Sequence, residues 1–253
     1  MKKTMTRVGL LVVPLLIVGC QQEAARNAPV RTSSPSGQST APPLAAAEER
    51  DMALIRVVHA IPAGSTVDVF AGDNTVFDGL AYKTVTPYRE IDGKRFTFHL
   101  RPAGMNQAEP LASATEGLSR GRYYTVFVTP GDGAAARLQV VADTHSIPAT
   151  GKARVRVMHG SSDAGQFDVY EVGRADVLFD AVDFQAVTEY DDIDPFAGTL
   201  ELRPEGESNV MLSIPNVRLD AGKTYTIVVI GRVRTAPKLE TFVIEDQVMA
   251  PGR

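Results

Sequence analysis

RVVHAIPAGSTVDVF (56–70) and RVMHGSSDAGQFDVY (156–170) stand a hundred residues apart and share one pattern. Each has an Arg three residues before a His, and that His nine before an Asp. The pairs His59/Asp68 and His159/Asp168 could mark a duplicated dyad, a duplicated metal site or duplicated architecture. Successive side chains of a strand point to opposite faces. In ARVRVMH (153–159) Arg154 and Arg156 therefore face one way, while Val155, Val157 and His159 face the other, inward side. In QFDVY (166–170) Phe167 and Val169 take the inward face, which sends Asp168 outward with Tyr170. The same parity puts Ile55, Val57 and His59 inward and Asp68 outward. A His and an Asp on opposite faces do not form a dyad. Architecture is the expectation, with each His tying down the turn that follows its strand.

The repetition extends beyond these stretches. VFDGLAYKTVTPY (76–88) aligns with LFDAVDFQAVTEY (178–190), TFHLRPAG (97–104) with TLELRPEG (199–206), and LSRGRYYTVFV (118–128) with LDAGKTYTIVV (219–229). Two copies of one domain follow, over 51–146 and 150–247, joined near THSIPATGK (144–152). Each copy shows short apolar alternations separated by Gly, Pro, Asp and Asn, and no convincing helical period. In the first copy strands are expected near 54–59, 66–71, 84–91, 95–100, 122–129 and 136–142, with weaker ones near 75–78 and 110–116. This density of short strands predicts an all-β fold, two tandem immunoglobulin-like antiparallel β-sandwiches. Val126 and Val128, and the run Ile227–Ile230, are apolar on both faces or nearly so, which places those strands centrally.

The pattern L-x-x-G-x-x-Y recurs as Leu118/Gly121/Tyr124 and Leu219/Gly222/Tyr225. A Gly turn feeding a central strand with Tyr near its start is expected to form a tyrosine corner, because a buried phenol needs a partner and the corner offers backbone groups. Metal and catalytic constellations fare worse. Asp163 is a possible third ligand beside His159 and Asp168, but the aligned residue in the first copy is Ala63. Asp191, Asp192 and Asp194 could hold calcium, yet the first copy offers Arg89, Glu90 and Asp92 there, so an acidic hairpin rim is the reading. HGSSDAG (159–165) lacks the G-x-S-x-G elbow, and neither phosphate-cradling nor dinucleotide glycine motifs occur. No catalytic residue, metal or cofactor is expected.

The chain begins MKKTMTRVGLLVVPLLIVGC (1–20): basic residues Lys2, Lys3 and Arg7, an apolar run from Val8 to Val18, then Gly19 and Cys20. The run is too short to span a bilayer, for which about 20 residues are needed, and reads as a secretory signal over 1–19. Ile17-Val18-Gly19-Cys20 resembles a bacterial lipobox, which implies cleavage between Gly19 and Cys20 and acylation of Cys20. Two or three acyl chains give a stable membrane anchor. Cys20 is the single cysteine among 253 residues, so no disulfide forms within the chain. Residues 1–19 carry three of the 26 Lys/Arg and none of the 30 Asp/Glu, and their removal leaves a formal charge of −7. An acidic chain without clustered cations is not expected to bind nucleic acid. Residues 20–50 lack aromatics, are rich in Ala, Pro, Ser and Gln, and are expected to be a disordered tether holding the folded part off the membrane. Gln21 after the cysteine resembles the sorting pattern of outer-membrane lipoproteins in a Gram-negative host.

The combination R-V-x-H, D-V-[FY], [FL]-D-x-[LV]-x-[YF]-x-x-V-T-x-Y and L-x-x-G-x-x-Y-T-[VI] resembles the bacterial family catalogued as domain of unknown function 4397, over both copies and about residues 53–246. The resemblance implies immunoglobulin-like sandwiches in an exported, often tandem arrangement, and brings no activity or catalytic residue. The turn after His departs from the family's usual S-P-D-A-P: it is AIPAGS (60–65) in one copy and GSSDAG (160–165) in the other. The expectation is a lipid-anchored, non-catalytic binding or structural module of the cell envelope, facing an envelope protein or polysaccharide. The alternatives are a small-molecule or glycan binder with a groove between the two domains, and an envelope hydrolase.

Overall fold

A computed structural model describes residues 52–62, 66–131, 136–143 and 146–246. The signal, Gly19, Cys20 and the tether lie outside the described residues. Sixteen strands make up the described elements. The first copy holds β1 (Met52–His59), β2 (Val67–Ala71), β3 (Asn74–Leu80), β4 (Arg89–Asp92), β5 (Arg95–Pro102), β6 (Ala112–Gly117), β7 (Tyr123–Pro130) and β8 (Ala136–Asp143). The second repeats them as β9 (Ala153–His159), β10 (Phe167–Glu171), β11 (Val177–Val182), β12 (Asp191–Ile193), β13 (Phe196–Pro204), β14 (Leu212–Leu219), β15 (Thr224–Ile230) and β16 (Glu240–Asp246).

Each copy is a sandwich of two four-stranded sheets, β4-β1-β7-β8 over β3-β2-β5-β6, and β12-β9-β15-β16 over β11-β10-β13-β14. Pairing is antiparallel except between β1 and β7 and between β9 and β15, which run parallel. The inward residues Ile55, Val57, Val69, Phe98, Leu100 and Val126 fill the first core, and Val155, Val157, Phe167, Leu200, Leu202 and Ile227 fill the second. β7 and β15 are central, as their two-sided apolar character requires.

The strand expected at 84–91 is a correction. Only Arg89–Asp92 pairs as a strand, and the chain before it makes one isolated bridge, Val85 to Val58, flanked by the Lys83 N–H bond to the His59 carbonyl and the Val57 N–H bond to Thr86 Oγ1. Lys83 in the left-handed region (φ 71°) turns the chain there, and Pro87 has no N–H to give a ladder. The second copy repeats the detour with Gln185 at φ 67° and the bridge Val187 to Met158.

A third apolar seam joins the copies. Val58, Ala60, Phe127, Met158, Val228 and Ile230 are fully buried in one cluster. These residues come from the outward faces of β1 and β7, β9 and β15, and the residue following β1. The outer face of each β1/β7-type sheet is thus covered by its counterpart, giving four sheet layers with apolar side chains between every adjacent pair. Full burial of a Val, Phe or Met side chain contributes about 1.5–3 kcal/mol, so this seam strongly favours the paired copies. Ala60 and Gly160, equivalent residues of the two repeats, meet across it. A Cβ on Gly160 would lie 2.7 Å from the Ala60 Cβ and 3.3 Å from the Phe127 ring. Neither Ala60 nor the strand behind it can rotate away, so Gly160→Ala is expected to cost about 1–3 kcal/mol by overpacking, measured as a shift of the urea midpoint at constant slope.

Candidate functional site: the repeated motif and the face between the copies

The His of each motif ends its strand on the inward face and is buried, 1% exposed for His59 and 0% for His159. His159 Nδ1 accepts the Ser161 N–H at 3.2 Å, and Nε2 meets the Gly165 carbonyl at 2.9 Å. The ring packs 4.5 Å from Phe167 and 5.8 Å from Phe184. It therefore spans the 160–165 turn and holds it closed over the sandwich end. Ser65, aligned with Gly165, lies outside the described residues. Burial pushes the pKa of His159 down to about 4, against the opposing hydrogen bond to the Gly165 carbonyl, and pushes His59 down as well.

The Asp of each motif faces outward by parity yet is buried. Asp68 Oδ1 accepts the Gly79 N–H at 2.7 Å and Oδ2 the Gly104 N–H at 2.9 Å. Asp168 does the same with Ala181 at 2.8 Å and, more loosely, with Gly206 at 3.4 Å. Gly79 and Ala181 have φ of 63° and 51° where β3 and β11 slip register against β2 and β10. The carboxylate thus pins a bulge and a hairpin on either side of its strand. His and Asp do not meet.

Both tyrosines of the repeated corner act on backbone. The Tyr124 hydroxyl accepts the Ser119 N–H at 2.9 Å, and Tyr225 accepts the Asp220 N–H at 3.0 Å. Tyr124→Phe keeps the ring and deletes this bond, so a loss of about 1 kcal/mol is expected in chemical denaturation. Asp163 accepts from Val233 and Arg234 N–H at 2.7 and 3.2 Å, holding the loop before β16. In the acidic rim, Asp192 takes Arg154 at 2.6 Å and the Ala149 N–H at 3.0 Å, while Asp194 takes Lys152 at 2.7 Å. These carboxylates tie down the connection between the copies.

The Arg of each motif has the least expected role. Arg56 and Arg156 are 3% and 1% exposed, because the outward face on which they stand is the face between the copies. Arg56 Nη2 donates to Asp246 Oδ1 of the second copy at 2.6 Å, and Arg156 Nη2 donates to Asp143 Oδ1 of the first. Arg56 Nε donates to Thr125 Oγ1 and Arg156 Nε to Thr226 Oγ1, both at 2.9 Å. Each Thr hydroxyl passes its proton bond to the Asp of its own copy, Thr125 to Asp143 at 2.7 Å and Thr226 to Asp246 at 2.5 Å. Tyr88 donates to Asp143 at 2.7 Å and Tyr190 to Asp246 at 3.0 Å. Each ring lies under the Arg of its own copy, with Cζ to ring centre 4.8 and 4.5 Å. Two cations and two anions are thereby neutralised, and every contact has a twin in the other repeat. That reciprocity is the mark of an isologous, two-fold interface, here made within one chain.

Burial alone would disfavour all four charges. At Arg56 it is outweighed by Tyr88, Asp246 and Asp143, and the pKa rises. At Asp143 it is outweighed by Arg156 and Arg56 with the Thr125 and Tyr88 hydrogen bonds, and the pKa falls. Burial dominates at Tyr88 and Tyr190, whose phenols are pushed well up and stay protonated donors.

Two turns clasp the seam from either side. Lys83 Nζ and the Tyr82 hydroxyl reach Glu240 at 2.5 and 3.3 Å. In the twin position Arg137 donates to the Gln185 side chain at 2.5 Å, Gln139 to the Gln185 carbonyl at 3.1 Å, and Gln185 to the Pro130 carbonyl at 2.7 Å. Arg137 and Glu240 open the equivalent strands β8 and β16, next to or at their first residue. Pairing two first copies would set Lys83 against Arg137, so these side chains favour the unlike pair. Where the copies meet, packed apolar side chains fill the seam among the described residues. Among the described residues no group of three His, Cys, Asp or Glu could hold a metal.

A family model described as Domain of unknown function (DUF4397) matches residues 53–170 and 157–253. The chain belongs to this family. The first match covers the first sandwich and runs on into β10 of the second, the second match covers the second sandwich from Val157 onward, and the two overlap over 157–170, as two tandem copies of the domain would give. No curated protein matches the chain. The crystal structure of a candidate cell adhesion protein from Bacteroides eggerthii DSM 20697 is similar at 10% identity, covering 78% of this chain and 95% of that one with a TM-score of 0.23. What DUF4397 units here have in common is a set of polar residues committed to holding strands, turns and copies together.

The residues that sequence parity missed are Thr125, Asp143, Thr226, Asp246, Tyr88 and Tyr190. A signal was present, since all six recur at offsets of 101 to 103 residues. Asp143 and Asp246 close their strands at the chain's polar boundaries, where an acid ordinarily reads as solvated.

Proposed function

We propose that the protein is a lipid-anchored, non-catalytic binding module of the cell envelope, presenting two fused sandwiches at the end of the tether read from residues 20–50. The observation that carries the non-catalytic part is the engagement of the motif's polar groups, with the exception of His59, whose buried ring nitrogens have no hydrogen-bond partner among the described residues. His159, Asp68, Asp168, Arg56 and Arg156 are buried and satisfied by backbone or by each other. The anchor rests on the sequence Ile17-Val18-Gly19-Cys20 and the tether on the composition of 20–50. An envelope protein or polysaccharide is the partner class that such a placement favours, and the outer membrane is the site that Gln21 favours.

Labelling cells with a palmitate analogue is expected to mark the wild type and not Cys20→Ser, and the variant is expected to leave the membrane fraction. An unlabelled wild type sinks the anchor. Cross-linking in intact cells, read by mass spectrometry, is expected to return the same envelope neighbour in replicate experiments and to lose it in Cys20→Ser. Recovery of no reproducible neighbour counts against a binding role.

A further inference from the structure

On the outer face of the first copy, away from the seam, lies a concavity of about 410 Å³, within the range of small-ligand sites. The β2–β3 hairpin supplies Phe70, Asp73 and Thr75, and the β5–β6 loop supplies Asn106 and Gln107, with Arg101 between them. Arg101 Nη1 donates to the Asn106 and Ala108 carbonyls at 3.1 and 2.6 Å, which folds the loop back toward the hairpin. Its guanidinium carbon lies over the Phe70 ring, 5.3 Å from its centre, and that ring is 3% exposed.

The second copy shows what is unusual here. Its equivalent Arg203 lies 4.4 Å from the Tyr170 ring centre and is neutralised by Glu201, to which Nη2 and Nε donate at 2.7 and 3.2 Å. The first copy has His99 at the Glu201 position, and that ring is engaged with Ser113 at 2.8 Å. Among the described residues no carboxylate pairs with Arg101. A half-buried cation without its anion, at the base of a hollow, favours an anionic group from outside the chain. The rim adds one carboxylate, two carboxamides and a hydroxyl, all on exposed residues. Closely spaced donors and acceptors of this kind match hydroxyl groups, each of which both gives and accepts a hydrogen bond. A single cation beside Asp73 disfavours a dianionic phosphate.

We propose that this concavity binds an acidic saccharide residue of the uronic acid type. Arg101 takes the carboxylate, while Asp73, Thr75, Asn106 and Gln107 exchange hydrogen bonds with the ring hydroxyls. The proposal rests on the binding-module reading and gives it a ligand class.

The test is a titration of the isotope-labelled mature protein, followed by amide NMR shifts, with glucuronate, glucose and acetate as probes. Saturable shifts centred on residues 72–75 and 104–108 are expected with glucuronate. Glucose is expected to bind at least about tenfold more weakly, and acetate not to saturate, since tenfold corresponds to one good polar contact. Asp73→Ala and Gln107→Ala are each expected to weaken glucuronate about tenfold with the remaining spectrum unchanged. Their exposure keeps the test open even where Arg101→Gln disturbs the loop. No saturation with glucuronate, equal responses to acetate, or indifference to both variants overturns the proposal. The labelling and cross-linking results stand or fall separately, so failure here is distinguishable from failure of the anchored-module reading.

Discussion

Arg156→Met is expected to lower unfolding stability by about 3–5 kcal/mol, the largest effect of any single substitution considered. Methionine fills much of the volume and keeps the apolar seam dry. It removes the cation that compensates Asp143, whose carboxylate stays buried beside Tyr88 and Thr125 with Arg56 Nε 4.0 Å away. It also leaves the Thr226 hydroxyl without the Arg156 donor. Because every contact has its twin, Arg56→Met is expected to cost a similar amount through Asp246. Urea unfolding at pH 7 measures both. A loss below about 1 kcal/mol, the size of an exposed pair, contradicts a buried interdomain network.

The second large effect is a loss of stability in mild acid that does not come from carboxylates. His159 is held neutral by burial, with its pKa near 4 against an ordinary 6.5. Between these values the unfolded chain binds a proton that the folded chain refuses, so stability falls as pH falls through that window. A gap of this size corresponds to about 3 kcal/mol at 1.36 kcal/mol per pH unit. His59 shifts in the same direction and adds to the slope. Asp143 acts in a lower window: its depressed pKa contributes stability above the usual carboxylate range that disappears as pH falls through the folded value. Denaturation midpoints from pH 7.5 to 4 are expected to decline, and His159→Gln is expected to flatten the decline while lowering stability at pH 7. A slope unchanged in the variant assigns the acid lability elsewhere.

Much of the fold was legible because its signals are local. Strand parity separated His59 from Asp68, the aligned blocks defined two copies, and the Gly-to-Tyr spacing located Tyr124 and Tyr225 at their corners. The strand at 84–91 was overextended because alternation in KTVTPY persists through a segment that Lys83 bends and Pro87 breaks. The face between the copies was half legible. Parity put Arg56 outward beside Val58, and an apolar outward face must be covered, but periodicity within one strand does not say by what. The answer depends on Asp143 and Asp246, 87 and 90 residues beyond Arg56 and Arg156 in their own copies yet bonded across to the other. An arginine read alone is a surface residue. Paired with an acid at the far end of the other repeat, it becomes the centre of the molecule.

The recurrence of RVVH and RVMH therefore marks two things at once: the first hairpin of each sandwich and one half of the joint between them. Differential scanning calorimetry of a chain spanning residues 20–253 tests this joint most directly. Two sandwiches locked through a shared apolar seam and a reciprocal charge network are expected to melt in one transition, with calorimetric and van't Hoff enthalpies equal. Two resolved transitions, or a calorimetric enthalpy about twice the van't Hoff value, would show the copies unfolding independently and contradict the account.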